Sequence, residues 1–231
     1  ESALKDVDVL FLVRPPQLSS VNKYFKPLIN QAVASGVSHI IFLSVQGAET
    51  NSWIPHHKIE KLIKRSKIPY TFLRPAYFMQ NFLGNLHHDL ISANEIFLPA
   101  GDAKFTLVDV DDLTNVTTSV LLNLEEHRNM AYALTNNEQL TFGEMAESLS
   151  SVLQRKIKFI SPSLLKFYCR KKKEGMATML ILVMIMLHYL PRFSKPLPIT
   201  NTVEKISGSK PKTFRQYVEN HKSEFGSPQL G

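Results

Sequence analysis

Residues 44–82 read SVQGAETNSWIPHHKIEKLIKRSKIPYTFLRPAYFMQNF, and this stretch decides the fold. It opens at the end of an apolar run, Val37 to Ser44 (VSHIIFLS), which has the β-branched content of a buried strand. A polar loop follows from Gln46 to about Ser52. Pro55 then starts a helix at a position where its missing N–H costs nothing. Ile59, Leu62 and Ile63 make the apolar stripe of that helix, with Lys61, Lys64 and Arg65 on its wet face. Ile68 to Leu73 (IPYTFL) is the next strand, closed by Arg74-Pro75.

The pattern extends backwards. Val7 to Val13 (VDVLFLV) reads as a buried strand ended by Pro15-Pro16, and a helix capped by Ser19 or Ser20 runs to about Ser35 before Gly36. Strand, helix, strand, helix, strand at this spacing predicts right-handed crossovers and a parallel sheet, an α/β protein.

Further along, the sequence predicts a helix around Phe82 to Ile91, segments at Ile96–Pro99 and Phe105–Val110, and a helix capped by Asp112 running to about Leu124. A strand is expected at Met130–Leu134, and Thr141 with Glu144 forms a capping box for the helix FGEMAESLSSVLQ. Ile157 to Ile160 fits a short strand. From Ser161 the character changes: a basic run, Arg170–Lys173, precedes Met176–Leu187, which is almost wholly apolar. Spanning a bilayer takes roughly twenty residues, so this run predicts a packed helix and not a membrane span. Two short helices broken by Gly208 and Pro211 complete the chain.

Composition narrows the function classes. The lone Cys169 excludes an internal disulfide and a cysteine-based zinc cage, and fits a reducing, cytoplasmic setting. Lys and Arg outnumber Asp and Glu by 27 to 20, a formal net charge of +7. Asp109, Asp111 and Asp112 lack His or Cys partners, and no metal site is expected there. The Arg170–Lys173 run reads as a solvated face, so no nucleic-acid contact is expected. Nine glycines are present, and none falls in a G-x-G-x-x-G turn after the first strand, the loop that brings backbone N–H groups to a pyrophosphate.

The frame H-x-x-I-E, then IPYTFLRP and FMQNF, resembles the NmrA-like family of atypical short-chain dehydrogenases and reductases. The resemblance continues through FTLVDVDDLTNVTTSVL and AYALTNNEQLTFGEMAESLSSVLQRKIKFI, and resumes in TVEKISGSKPKTFRQYVENH. It implies a Rossmann-like sheet whose first three strands and G-x-x-G-x-x-G turn are expected upstream of Glu1. It also implies a division into a partial NAD(P)-binding domain over 1–160, with some substrate-lobe insertions, and a mainly helical substrate lobe over 161–231.

The implied cofactor is NADP or NAD. Val13, Arg14 and Pro15, with Ser44 and Val45, match positions at the carboxyl ends of two strands near the adenosine and ribose. Arg14 either pairs with a phosphate or faces solvent. His56 matches a Lys or His position near the nicotinamide ribose, and His57 stands beside it. Tyr77, Phe78, Met79, Gln80 and Asn81 match the nicotinamide side and substrate cleft. Classical short-chain reductases use Tyr-x-x-x-Lys. Here Lys58 is preceded at that spacing by Ile54, so the usual acid is absent, with Tyr77 a substitute source of the proton. Two functions remain open: a reductase of a small carbonyl or quinone-like acceptor, or a non-catalytic NAD(P) sensor acting through a regulatory protein partner.

Overall fold

The computed structural model describes residues 2–226. Nine strands are assigned among them: β1 Val9–Val13, β2 His39–Leu43, β3 Tyr70–Pro75, β4 Tyr77–Phe78, β5 Glu95–Phe97, β6 Phe105–Val108, β7 Met130–Leu134, β8 Gln139–Leu140 and β9 Lys158–Ile160. The helices are α1 Val21–Ala34, α2 Pro55–Ser66, α3 His87–Ser92, α4 Val110–Leu122, α5 Phe142–Leu153, α6 Leu164–Lys173, α7 Thr178–Tyr189, α8 Thr202–Ser207 and α9 Phe214–Asn220.

These elements form two compact units that interleave along the chain. The first takes the chain up to Ala76, then Asp111–Thr135 and Thr200–Lys210. The second takes Tyr77–Val110, Asn136–Ile199 and the stretch from Pro211. A single boundary at residue 160, the sequence expectation, divides the chain differently.

In the first unit β1, β2, β3 and β7 form a parallel sheet in that order. Val9 pairs with His39, Ile40 with Tyr70, and Thr71 with Met130. Helices α1 and α2 pack together, and Leu12, Phe25, Ile29, Phe42, Ile59, Ile63 and Phe72 share one core. Each such side chain contributes roughly 1.5–3 kcal/mol by leaving water. Pro55 is at the start of α2 as predicted, and Lys67 ends it in a left-handed conformation. Thr200 ties its segment to the end of β7: its hydroxyl donates to the Ala133 carbonyl and its N–H to Thr135 Oγ1.

The second unit holds β4-β6-β8, with β4–β6 parallel and β6–β8 antiparallel, and the parallel pair β5–β9. Its core joins Met79, Phe82, Phe97, Leu107, Phe142, Phe167, Ile181, Phe214 and Tyr217. The capping box of α5 forms as read: Thr141 Oγ1 accepts from the Glu144 N–H, and Glu144 accepts from the Thr141 N–H.

Several expectations are corrected. Strand β1 is not buried throughout: Phe11 is 44% and Val13 48% exposed, because β1 pairs with β2 and lies at one edge of the described sheet. The helix expected over 82–91 is a 3-10 turn, Met79–Phe82, followed by α3. Turn bonds from Leu83 N–H to the Gln80 carbonyl and from Gly84 N–H to the Asn81 carbonyl separate the two. Asp112 does not cap α4, which starts at Val110. Asp111 and Asp112 lie in its first turn, where carboxylates complement the helix dipole.

The basic run is also not one solvated face. Lys171 is 2% exposed and donates to Asp89 at 2.6 Å, and Arg170 pairs with Glu95 and Glu174. Lys172 and Lys173 face solvent.

Candidate functional site

In the first unit the carboxyl ends of β1 and β2 carry the predicted nucleotide-side residues. The β1–α1 loop is closed by Arg14, whose Nη1 donates to the carbonyls of Pro15 (3.1 Å), Pro16 (3.2 Å) and Leu18 (3.3 Å). Its Nε donates to His56 Nε2 at 3.4 Å. The arginine therefore neither waves in solvent nor stands apart from the histidine. It organises the loop and meets α2. Val13 and Pro15 are exposed beside it.

His56 stacks near Phe42, with ring centroids 6.0 Å apart. Burial, and then the nearby Arg14 guanidinium, lower its pKa to about 4. At neutral pH the ring is uncharged, and because Nε2 accepts from Arg14, the proton sits on Nδ1. Its neighbour His57 donates through Nδ1 to the Ala48 carbonyl at 2.7 Å. That leaves His57 Nε2 as a buried acceptor with no hydrogen-bond partner among the described residues. A buried polar atom of this kind calls for a donor from a ligand or water.

Ser44 is buried, and its hydroxyl donates to Glu60 Oε1 at 2.6 Å. Arg74 holds the same carboxylate twice, Nε to Oε1 at 3.0 Å and Nη2 to Oε2 at 2.7 Å, and also pairs with Glu49 at 3.2 Å. The side chain of Ser44 thus serves to fix the strand ends, and Val45 follows it half-buried. Sequence reasoning missed Glu60 and Arg74. The signal was present: Glu60 is flanked by Ile59 and Ile63 on the inner face of α2.

A cleft of about 390 Å³ opens beside the start of α1, lined by Ser19, Ser20, Lys58, Lys61 and Arg65 among others. None of the cofactor-binding candidates read from the sequence lines it.

In the second unit, Tyr77 and Phe78 form β4. Tyr77 lies edge-on to Phe105 and Phe142, each with centroids 5.8 Å away. Its hydroxyl is 3.1 Å from His188 Nε2, and His188 Nδ1 is 2.6 Å from the Met184 carbonyl. A carbonyl can only accept, so His188 carries its proton on Nδ1, and Tyr77 donates to Nε2. Burial lowers the His188 pKa to about 4 and holds the ring neutral. The Tyr77 hydroxyl also bonds the Asn81 side chain, and burial pushes its pKa up. Donor and acceptor sides of Tyr77 are both engaged, so its hydroxyl proton is held by His188.

The remaining residues of the run divide by role. Met79 is wholly buried in the core. Gln80 clamps a turn: its Nε2 donates to Asp109 Oδ1 at 2.9 Å, and its Oε1 accepts from the Val110 N–H at 3.2 Å. Lys212 Nζ is 3.2 Å from the other oxygen of Asp109. His188 went unnoticed in the sequence because it follows an all-apolar run. Its spacing from Ile181 and Met184 places the three on one face, and all three are buried.

Comparison with known proteins identifies relatives of this fold. The chain is 27% identical to the NAD(P)H azoreductase of Xenophilus azovorans over 233 residues, 98% of this chain and 79% of that protein. The fold matches triphenylmethane reductase of Citrobacter sp. complexed with NADP(H), with a TM-score of 0.82 and 23% identity, covering 95% of this chain and 78% of that one. It also matches NmrA, a negative transcriptional regulator, in complex with NAD, with a TM-score of 0.67 and 15% identity over 94% of this chain and 75% of that one. The NmrA-like family profile matches residues 1–214, and the chain belongs to the NmrA-like family.

Proposed function

We propose that the protein is an NAD(P)H-dependent reductase of a small, planar, electron-poor acceptor of the quinone or carbonyl kind. The observation that carries the reading is the pairing of Arg14 with a neutral His56 at the carboxyl ends of β1 and β2, where open α/β sheets bind ligands. The unpartnered Nε2 of His57 fits a hydroxyl-bearing ligand such as a nucleotide ribose. Arg14 offers charge to a phosphate, and the Nδ1–H of His56 offers a donor to a ribose or amide oxygen. When bound, the dinucleotide supplies the hydride.

The protein's own part is binding and exclusion of water. Tyr77, Phe105 and Phe142 present an aromatic wall in the second unit. Because Tyr77 is committed to His188 and Asn81, the favoured acceptors are those whose reduced anion takes its proton from water. A hydroquinone meets this condition better than a simple alkoxide.

The same commitment of Tyr77 favours a second reading, an NAD(P) sensor that signals through a protein partner. The NmrA regulator, which binds NAD, supports it. One experiment separates the two: NADPH binding by fluorescence titration, alongside NADPH oxidation with a panel of quinones, azo dyes and aldehydes. Turnover with quinones is expected. Micromolar binding without turnover on any acceptor removes the reductase reading and leaves the sensor. Replacing His56 by Ala is expected to raise the NADPH Kd about tenfold, the worth of one hydrogen bond.

A further inference from the structure

The segment from Ser161 to Ile199 differs from the rest of the surface in two respects. It carries seven Lys and Arg but one acid, Glu174, so it holds +6 of the chain's net +7. Part of that charge is spent internally: Lys171 and Arg170 are bound to Asp89, Glu95 and Glu174. Lys166, Lys172, Lys173, Arg192 and Lys195 are exposed, and none is ion-paired among the described residues. The same segment concentrates exposed apolar side chains. On α7, Met179 is 70% exposed, and Leu182 and Met186 are open on the same face; Leu190 (57%) and Phe193 (72%) follow in the turn after it.

The spacing of Met179, Leu182, Met186 and Leu190 is that of one helical stripe. Ile181, Met184 and His188 occupy the opposite, buried face. Cations stand at both ends of the stripe. Lys172 Nζ donates to Thr178 Oγ1 at the start of α7, at 3.0 Å. At the far end Arg192 lies 5.1 Å from the Tyr189 ring, and Lys195 follows.

An exposed apolar stripe normally marks a docking surface. The charge around it decides the occupant. A second copy of this chain would bring like charges together, which is costly. Nucleic acid would use the cations but leave the stripe in water. An anionic lipid surface satisfies both: the headgroups take the cations, and the acyl boundary takes Met, Leu and Phe. No described helix is long and apolar enough to cross a membrane, so α7 would lie along the surface. We propose that the exposed face of α7, with the turn Leu190–Phe193, docks this protein on anionic membranes. This proposal does not depend on the reductase reading.

The test is co-sedimentation with phosphatidylcholine vesicles, with and without about a third phosphatidylserine. Wild-type protein is expected to bind the anionic vesicles and to be released by high salt. Arg192→Ser with Lys195→Ser should weaken binding about 25-fold, roughly fivefold for each cation. Leu190→Ser with Phe193→Ser leaves the charge untouched and should still weaken binding about tenfold or more. All four side chains are exposed, so the melting temperature should not move. Binding to neither vesicle, or equally to both, overturns the proposal. So does a concentration-dependent dimer that the Leu190/Phe193 variant abolishes while wild-type protein ignores vesicles. The salt and lipid dependence of the wild-type protein decides the matter even if a variant fails to fold.

Discussion

Two buried polar clusters, one from each unit, are built on opposite terms. In the first, Ser44 and Arg74 hold Glu60, Glu49 pairs with Arg74 from the other side, and the fixed element is the charge pair of Glu60 with Arg74. In the second, Tyr77 bonds both His188 and Asn81 with no formal charge, among Phe105 and Phe142. The charged cluster can persist out of water because each Glu60 oxygen has a donor at good geometry. The neutral cluster persists because desolvation keeps its histidine unprotonated. They should therefore fail for different reasons: the first when a partner is removed, the second when a proton is added.

The strongest challenge to that contrast is Glu60→Ala. It leaves the mostly buried Arg74 with only the half-exposed Glu49 as an ion-pair partner and should cost about 3 kcal/mol in urea unfolding. A cost below about 1 kcal/mol would mean that water reaches the arginine freely, and the contrast would collapse.

Next in size is the response to acid. The folded-state pKa of His188 is lowered from 6.5 to about 4. Above 6.5 neither state is protonated. As pH falls from there, the unfolded chain takes up a proton that the folded chain refuses, so stability drops until about pH 4. Between pH 7 and pH 5 this amounts to about 2 kcal/mol. His56, lowered to about 4 as well, adds a loss of the same sign in the first unit. Urea midpoints measured at the two pH values, in wild type and in His188→Gln, read the share of the second cluster.

Ser44→Ala should cost about 1.5 kcal/mol, since it removes a bond to a charged acceptor that Arg74 still satisfies. Tyr77→Phe should cost least, about 1 kcal/mol, although it removes bonds to both His188 and Asn81, because all three groups are neutral. Reversal of the last two would show that the neutral cluster is the tighter one.

What the sequence disclosed follows from distance along the chain. Strand β7 falls on the residues read as MAYAL, and the Thr141–Glu144 box forms where the spacing placed it. Both are decided within a few residues. The pairing of β3 with β7 is not, since Ala76 to Asn129 lie between them and no local pattern reports the register. The same distinction governs the sites. Arg14 and His56 were legible as strand-end and helix-start residues, but their contact was not, because it joins positions far apart in sequence. Lys171 was hidden by composition: in a run of four cations it looks solvated. Only its helical spacing from Phe167, one turn earlier, shows that it faces inward.

The interleaving of the two units also sets a timetable for synthesis. On the ribosome, β3 emerges with β2 beside it, but its other neighbour, β7, is encoded beyond Asn129. At about 5–20 residues per second the nascent chain spends several seconds with that strand edge open. The Thr200 clasp on Ala133 and Thr135 arrives later still, so the first unit closes only after Thr200 has been made. In that interval the free edge of β3 is a template for pairing with another chain until its own partner is translated.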